Sequence, residues 1–138
     1  MAESTRWMLD TNMVSYALKG NVPAVRARMM RLAPSALCIS AVTKSELLYG
    51  VAKSPAASRI AGVVMEFLRW IHVVDWTGDV AALHGELRAG LQRRGITMGG
   101  FDLMIAAHAL ALDLTLVTND QAFANVKHLR LENWALGD

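Results

Sequence analysis

Trp7-Met8-Leu9-Asp10-Thr11-Asn12 sets the pattern on which the chain is built: three apolar residues, an acid, then the polar opening of a helix. Near the other end Thr115-Leu116-Val117-Thr118-Asn119-Asp120 repeats it, a short strand running into an acid that opens a short helix. Between them, Ala36-Leu37-Cys38-Ile39 and Ile71-His72-Val73-Val74 read as two further strands, and a last short strand is expected around Leu129 to Leu131. Helical periodicity fills the intervals. It predicts helices from Thr11, over Val22–Leu32 with Pro23 in its first turn, over Thr43–Lys53, over about Ala56–Trp70, over Asp79–Arg94 with a stop at Gly95, and over Phe101–Leu112. The last of these is apolar on nearly every face and is expected to be buried.

Strands alternating with helices imply an α/β fold, a mostly parallel central sheet with helices on both faces. In such sheets, sites form outside the carboxyl ends of the strands, where the strand order reverses. No repeat or linker divides the chain, and its 138 residues are read as one domain over 1–138. An apolar fraction of 54% against 19% charged excludes a disordered chain. The net charge of +2 decides nothing about partners, so the placement of the acids must carry the argument. Cys38 is the single cysteine, which excludes an internal disulfide and a cysteine-based metal site. Met1–Arg6 lacks the build of a signal peptide, and Leu103–Leu112 is too short to span a bilayer, so a reducing cytoplasm is the expected compartment.

Asp10 and Asp120 follow strands, and Glu46 and Asp102 are expected in the first turns of helices that start on the same edge. All four can approach one cleft. Crowded carboxylates raise one another's pKa, and a divalent cation relieves that repulsion; hard oxygen donors suit Mg²⁺ or Mn²⁺. Each acid also has a purely structural reading. Asp10 and Asp120 suit N-caps, Thr43-x-x-Glu46 matches a capping box, and Asp102 suits the positive end of its helix. The histidines show no ligand spacing, and His108, six residues beyond Asp102, lies on a different helix face and reads as a packed residue.

Taken jointly, four blocks occur in order: Met8-Leu9-Asp10-Thr11-Asn12, Ile39 to Gly50 (ISAVTKSELLYG), Asp102 to Ala109 (DLMIAAHA) and Leu116-Val117-Thr118-Asn119-Asp120. They resemble the signature blocks of the PIN-domain ribonucleases, and within them the VapC toxins of toxin–antitoxin pairs. Arg88-x-x-Leu91-x-x-Arg94-Gly95 and Glu132-Asn133-Trp134 also look typical of that group. The resemblance implies a three-layer α/β/α PIN-like fold and Mg²⁺- or Mn²⁺-dependent endonucleolytic cleavage of RNA that blocks translation. It matches Asp10, Glu46, Asp102 and Asp120 to the acidic catalytic and metal-binding positions, with Asp120 acting directly or through water. Asp10 is expected as the central ligand. Thr11, Asn12, Thr43 and Thr118 are implied to orient the carboxylates or metal-bound water. Arg88, Arg93 and Arg94 are candidates for RNA phosphates, against the plain reading of a solvated helix face. Implied partners are an RNA substrate, a VapB-like antitoxin in a hetero-oligomer, and a second copy in a homodimer.

Two rivals remain in view. A receiver-type phosphoacceptor module wants adjacent acids after the first strand and a lysine after the last main strand, where this chain has Asp10-Thr11-Asn12 and Asn119-Asp120. A catalytically silent PIN-like interaction module would have no need of all four acids.

Overall fold

The structure is a computed structural model describing residues 5–56 and 58–137. Most of the Met1–Arg6 stretch and Ala57 lie outside the described residues, as does Asp138. Five strands form one sheet in the order β3-β2-β1-β4-β5: β1 Trp7–Leu9, β2 Leu37–Ser40, β3 His72–Val74, β4 Thr115–Val117 and β5 Leu131–Glu132. Every pairing is parallel. Six α-helices connect them: α1 Thr11–Lys19, α2 Pro23–Met30, α3 Ala41–Lys53, α4 Ile60–Trp70, α5 Gly78–Arg93 and α6 Gly100–Ala111. The expected α/β/α architecture is therefore present.

The two faces follow from strand alternation. Leu9, Leu37, Ile39 and Val117 point into a core closed by Met13, Val14, Val25, Val64 and Phe67 from α1, α2 and α4. Met8, Cys38 and Leu116 point the other way, into a core closed by Ile105, Ala106, Ala109 and Phe123. α6 is buried on most sides, as its composition requires. Among the described residues no helix is long and apolar enough to cross a membrane. Cys38 is fully buried, and desolvation pushes its thiol up to about 12, so it is inert.

Several boundaries differ from the sequence reading. α3 starts at Ala41 rather than Thr43, because Ser40 ends β2 and caps the helix, its Oγ accepting from Val42 N at 3.0 Å. α4 starts at Ile60 rather than near Ala56, where the Ser58 hydroxyl accepts from Ile60 N at 3.2 Å. The last strand lies at Leu131–Glu132, one or two residues later than expected, in register with Leu116 and Val117. Gly20 ends α1 at φ 69, a left-handed cap whose N–H donates to the Tyr16 carbonyl.

Glu132-Asn133-Trp134 is a structural clasp. The Glu132 carboxylate accepts from Trp7 Nε1 at 3.1 Å and Trp134 Nε1 at 3.0 Å, and Arg28 lies 3.6 Å away. These donors hold its pKa below the usual carboxylate range despite partial burial.

Candidate active site

With β2 and β3 on one side of β1, and β4 and β5 on the other, the crossover direction reverses between β1 and β4. Asp10 stands at the carboxyl end of β1, and Thr118 and Asp120 follow the carboxyl end of β4. The sheet rule therefore puts this crevice where ligands bind in open α/β folds.

Asp10 is only 3% exposed. It caps α1, accepting from Met13 N at 2.8 Å. Desolvation raises its pKa from 3.8 to about 6, the charges of Asp102 and Asp120 adding to the rise, while hydrogen bonds from Thr118 and Met13 oppose it. Asp102 occupies the first turn of α6, as expected. Burial raises its pKa, and so do the charges of Asp120 and Glu46. Asp102 thus senses, or is sensed by, each of the other three acids. It is the common neighbour of the cluster, whereas Asp10, the expected central residue, is the most deeply buried.

Asp120 caps a 3₁₀ turn over Gln121–Asn125, its Oδ1 accepting from Ala122 N at 2.9 Å. Thr118 Oγ1 accepts from Asp120 N at 3.0 Å and its hydroxyl donates to Asp10, linking the two acids. Glu46 corrects the sequence reading most clearly. It is the sixth residue of α3, not a first-turn residue, and Ser40 caps that helix, so there is no capping box at Thr43. Instead Thr11 Oγ1 donates to Glu46 Oε1 at 2.6 Å and lies 3.2 Å from Thr43 Oγ1. Thr11, Thr43 and Thr118 therefore touch one another or the acids. Asn12 is exposed and bonds to no acid among the described residues.

The basic candidates separate. Arg94 donates to the Asn125 carbonyl at 3.0 Å, which ties the end of α5 to the turn behind Asp120. Arg88 lines a groove between α5 and α6, and Arg93 is exposed. The histidines stay outside the acid cluster. His108 is fully buried, its Nδ1 2.7 Å from Ser40 Oγ and its ring edge-on to Trp76 at 5.5 Å. Its Nε2 has no partner of hydrogen-bonding geometry. Burial lowers its pKa, against the pull of the Asp75 backbone and charge, so the ring is neutral.

Sequence reasoning missed Ser40, which caps α3 and meets His108. A serine directly after an apolar run was the available signal. It also missed Asn119, whose Nδ2 donates to Tyr16 Oη on α1 at 3.0 Å; no local pattern marks a contact between residues so far apart.

Among the described residues, no three His, Cys, Asp or Glu side chains are drawn tightly enough to enclose an ion. The donor chemistry nevertheless fits Mg²⁺ or Mn²⁺. Mg²⁺ keeps several waters and is commonly held by one or two carboxylates rather than by a closed cage. Burial is the first cause of the raised pKa values of Asp10 and Asp102, and neighbouring carboxylate charges add to both; that added repulsion is what such a cation would remove.

These features define a cluster of four acids at the switch point of a parallel sheet, and the comparisons with known proteins agree. Residues 7–129 match the PIN domain family. The chain is 40% identical over 131 residues to a tRNA(fMet)-specific endonuclease VapC of Shigella flexneri, covering 94% of this chain and 98% of that protein. It superposes with a TM-score of 0.87 on DNA-bound VapBC from Salmonella typhimurium, at 37% identity, covering 94% of this chain and 98% of that one. For VapBC2 of Rickettsia felis, bound to a promoter DNA fragment, the TM-score is 0.86 at 33% identity, with 94% and 99% covered. The chain belongs to the PIN-domain family, in its VapC branch.

Proposed function

We propose that this chain is a divalent-metal-dependent endoribonuclease and acts as the toxin of a toxin–antitoxin pair. One observation carries the reading: Asp10, Glu46, Asp102 and Asp120, from four different elements, share one electrostatic field at the switch-point crevice of a chain related to ribonucleases. A bound Mg²⁺ or Mn²⁺ would supply a polarised nucleophilic water and neutralise charge developing on the phosphate and the leaving oxygen. Asp102 and Asp10 are the residues best placed to hold it, with Glu46 and Asp120 at the edges of the same field.

The protein's contribution is positioning. Met13 N and the Thr118 hydroxyl fix the Asp10 carboxylate, leaving it further acceptor capacity. Thr11 aims Glu46, and Ala122 N fixes one oxygen of Asp120. The carboxylates would thus be in place to hold the cation without having to reorganise when charge develops on the phosphate.

The partner reading is a VapB-like antitoxin. An apolar groove of about 550 Å³ between α1, α2 and α4, lined by Leu18, Met29, Met30, Val63, Phe67 and Trp70, suits the apolar face of a peptide helix. We also infer a homodimer, for which exposed Leu48 and Tyr49 on α3 supply apolar surface, and a reducing cytoplasm, which suits the lone buried thiol.

The test is cleavage of total tRNA by the purified chain. Cutting that requires Mg²⁺ or Mn²⁺, stops with EDTA and falls by orders of magnitude in Asp10→Ala supports the reading. Cutting that survives both EDTA and Asp10→Ala refutes it. For the partner, co-expression with a small VapB-like protein, if one is encoded beside it, should yield a complex that Trp70→Glu disrupts; the absence of any complex refutes the pairing.

A further inference from the structure

We propose that the groove between α5 and α6 is a nucleobase subsite, in which a base beside the scissile phosphate stacks on Phe101 while Arg88 meets the adjoining backbone. The proposal rests on the ribonuclease reading above and extends it to the part of the substrate that the acids do not touch.

The groove measures about 600 Å³, within the range of small-ligand sites. Its position is the first argument. Phe101 and Leu103, the residues on either side of Asp102, both line it, although Asp102 itself does not, so groove and acid share the start of α6. An RNA strand with its phosphate at the carboxylates must lay its neighbouring nucleosides against the adjoining surface, and the start of α6 carries both the acid and the groove.

Its chemistry is the second. Leu91, Leu103 and Met104 give an apolar floor, while Arg88, Gln92 and Thr97 add polar groups. A flat aromatic ligand that also hydrogen-bonds uses both. Phe101 is 57% exposed although it is a large aromatic side chain at a helix start, leaving its ring available for stacking. Base stacking of this kind tolerates any sequence, because every base has a π-face.

Charge is the third argument. Of the three arginines along α5 and its end, Arg94 is tied to the Asn125 carbonyl, and Arg88 is the one that lines the groove. It makes no ion pair among the described residues. A guanidinium on this groove would offset part of the charge that an RNA strand brings toward the acids.

The experiment measures steady-state cleavage of total tRNA by wild type, Phe101→Ala, Phe101→Tyr and Arg88→Gln, with binding to total tRNA measured in an Asp10→Asn background. Loss of one base stack is expected to raise KM and Kd about 5- to 150-fold in Phe101→Ala. Turnover and the Mn²⁺ concentration for half-maximal activity should stay near wild type, and Phe101→Tyr should restore affinity. Arg88→Gln should weaken binding and reduce the slope of log K against log salt by about one. Unchanged KM and Kd in Phe101→Ala overturn the proposal. So does a loss of turnover with an altered Mn²⁺ requirement, which would make Phe101 a support for Asp102. A wild-type dimer that Phe101→Ala converts to a monomer in light scattering also overturns it, because a second copy then fills the groove. If wild type binds RNA but cuts none under any metal, the nuclease reading fails while the binding arm still judges the groove. If it neither cuts nor binds RNA, both readings fall.

Discussion

Replacing Asp10 by asparagine should stabilise the metal-free protein while abolishing its activity. Asp10 is almost fully buried, and its pKa rises from 3.8 to about 6. A carboxyl whose folded pKa is raised contributes most below its unfolded pKa, and the contribution is lost as pH rises through the folded value. For a rise of this size the loss is at most ~3 kcal/mol, at about 1.4 kcal/mol per unit. Asp102, also raised, adds in the same direction. Asparagine keeps a side-chain oxygen for Met13 N, so the α1 cap survives while the buried charge goes.

At about pH 7.5 in EDTA, Asp10→Asn should therefore gain ~1–3 kcal/mol, an increase in Tm of roughly 3–12 °C for a chain of this length. At about pH 4.5 the gap should shrink to roughly a third, and it should close only below about pH 3.8, because until then the unfolded carboxyl is still largely ionised while the folded one is protonated. Mg²⁺ should reverse the order near neutral pH, stabilising wild type through binding to the folded state alone. Thermal unfolding followed by circular dichroism at both pH values, with EDTA and then Mg²⁺, reads all three effects. A variant less stable than wild type in EDTA at neutral pH refutes the reasoning, as does an advantage that persists unchanged at the acidic pH.

Three other perturbations follow from single contacts. Thr11→Val removes the 2.6 Å donor to Glu46 and should raise the Mn²⁺ concentration for half-maximal cleavage about 10- to 100-fold while leaving the urea midpoint nearly fixed; equal Mn²⁺ titrations for the two proteins count against it. Ser40→Ala removes both the α3 cap and the partner of His108, and should cost ~1–3 kcal/mol in urea unfolding. Glu132→Leu leaves two indole N–H groups without their acceptor and should cost ~1–2 kcal/mol at neutral pH. Because the Glu132 pKa is lowered, its contribution is present above the usual carboxylate range and fades as pH falls, so the gap between wild type and variant should narrow in acid.

How much of this was legible in the sequence depended on the distance over which each feature is decided. The β1–Asp10–α1 unit is decided by six adjacent residues, and its strand, acid and helix all stand where the pattern put them. The alternation of strands and helices likewise sufficed for the layered parallel fold. The start of α3 was misplaced because Thr43-x-x-Glu46 is a valid local cap signal. The structure overrides it by placing Ser40 at the end of β2, which then serves as both strand residue and cap. Glu46 was freed from capping by that shift of two residues, and its actual partner, Thr11, lies 35 residues away. Nor could the sequence separate the arginines: Arg94 and Arg88 sit on one helical run, yet one is fixed to Asn125 and the other faces a groove.

The choice between cap and site, posed for each acid separately, proves to be a false one for Asp10 and Asp120. A carboxylate has two oxygens and about four acceptor positions. In Asp10 and Asp120 one oxygen accepts a backbone N–H at the start of a helical turn, which fixes the side chain and leaves acceptor capacity toward the crevice. Capping is thus the means by which the site is positioned. The backbone donors also favour the ionised form, offsetting part of the desolvation that raises Asp10. Asp102 lacks such a bond among the described hydrogen bonds, and Gly99 before its helix offers no side-chain cap. It stands as a bare carboxylate among three others, and that is the position from which a cation would relieve the most repulsion.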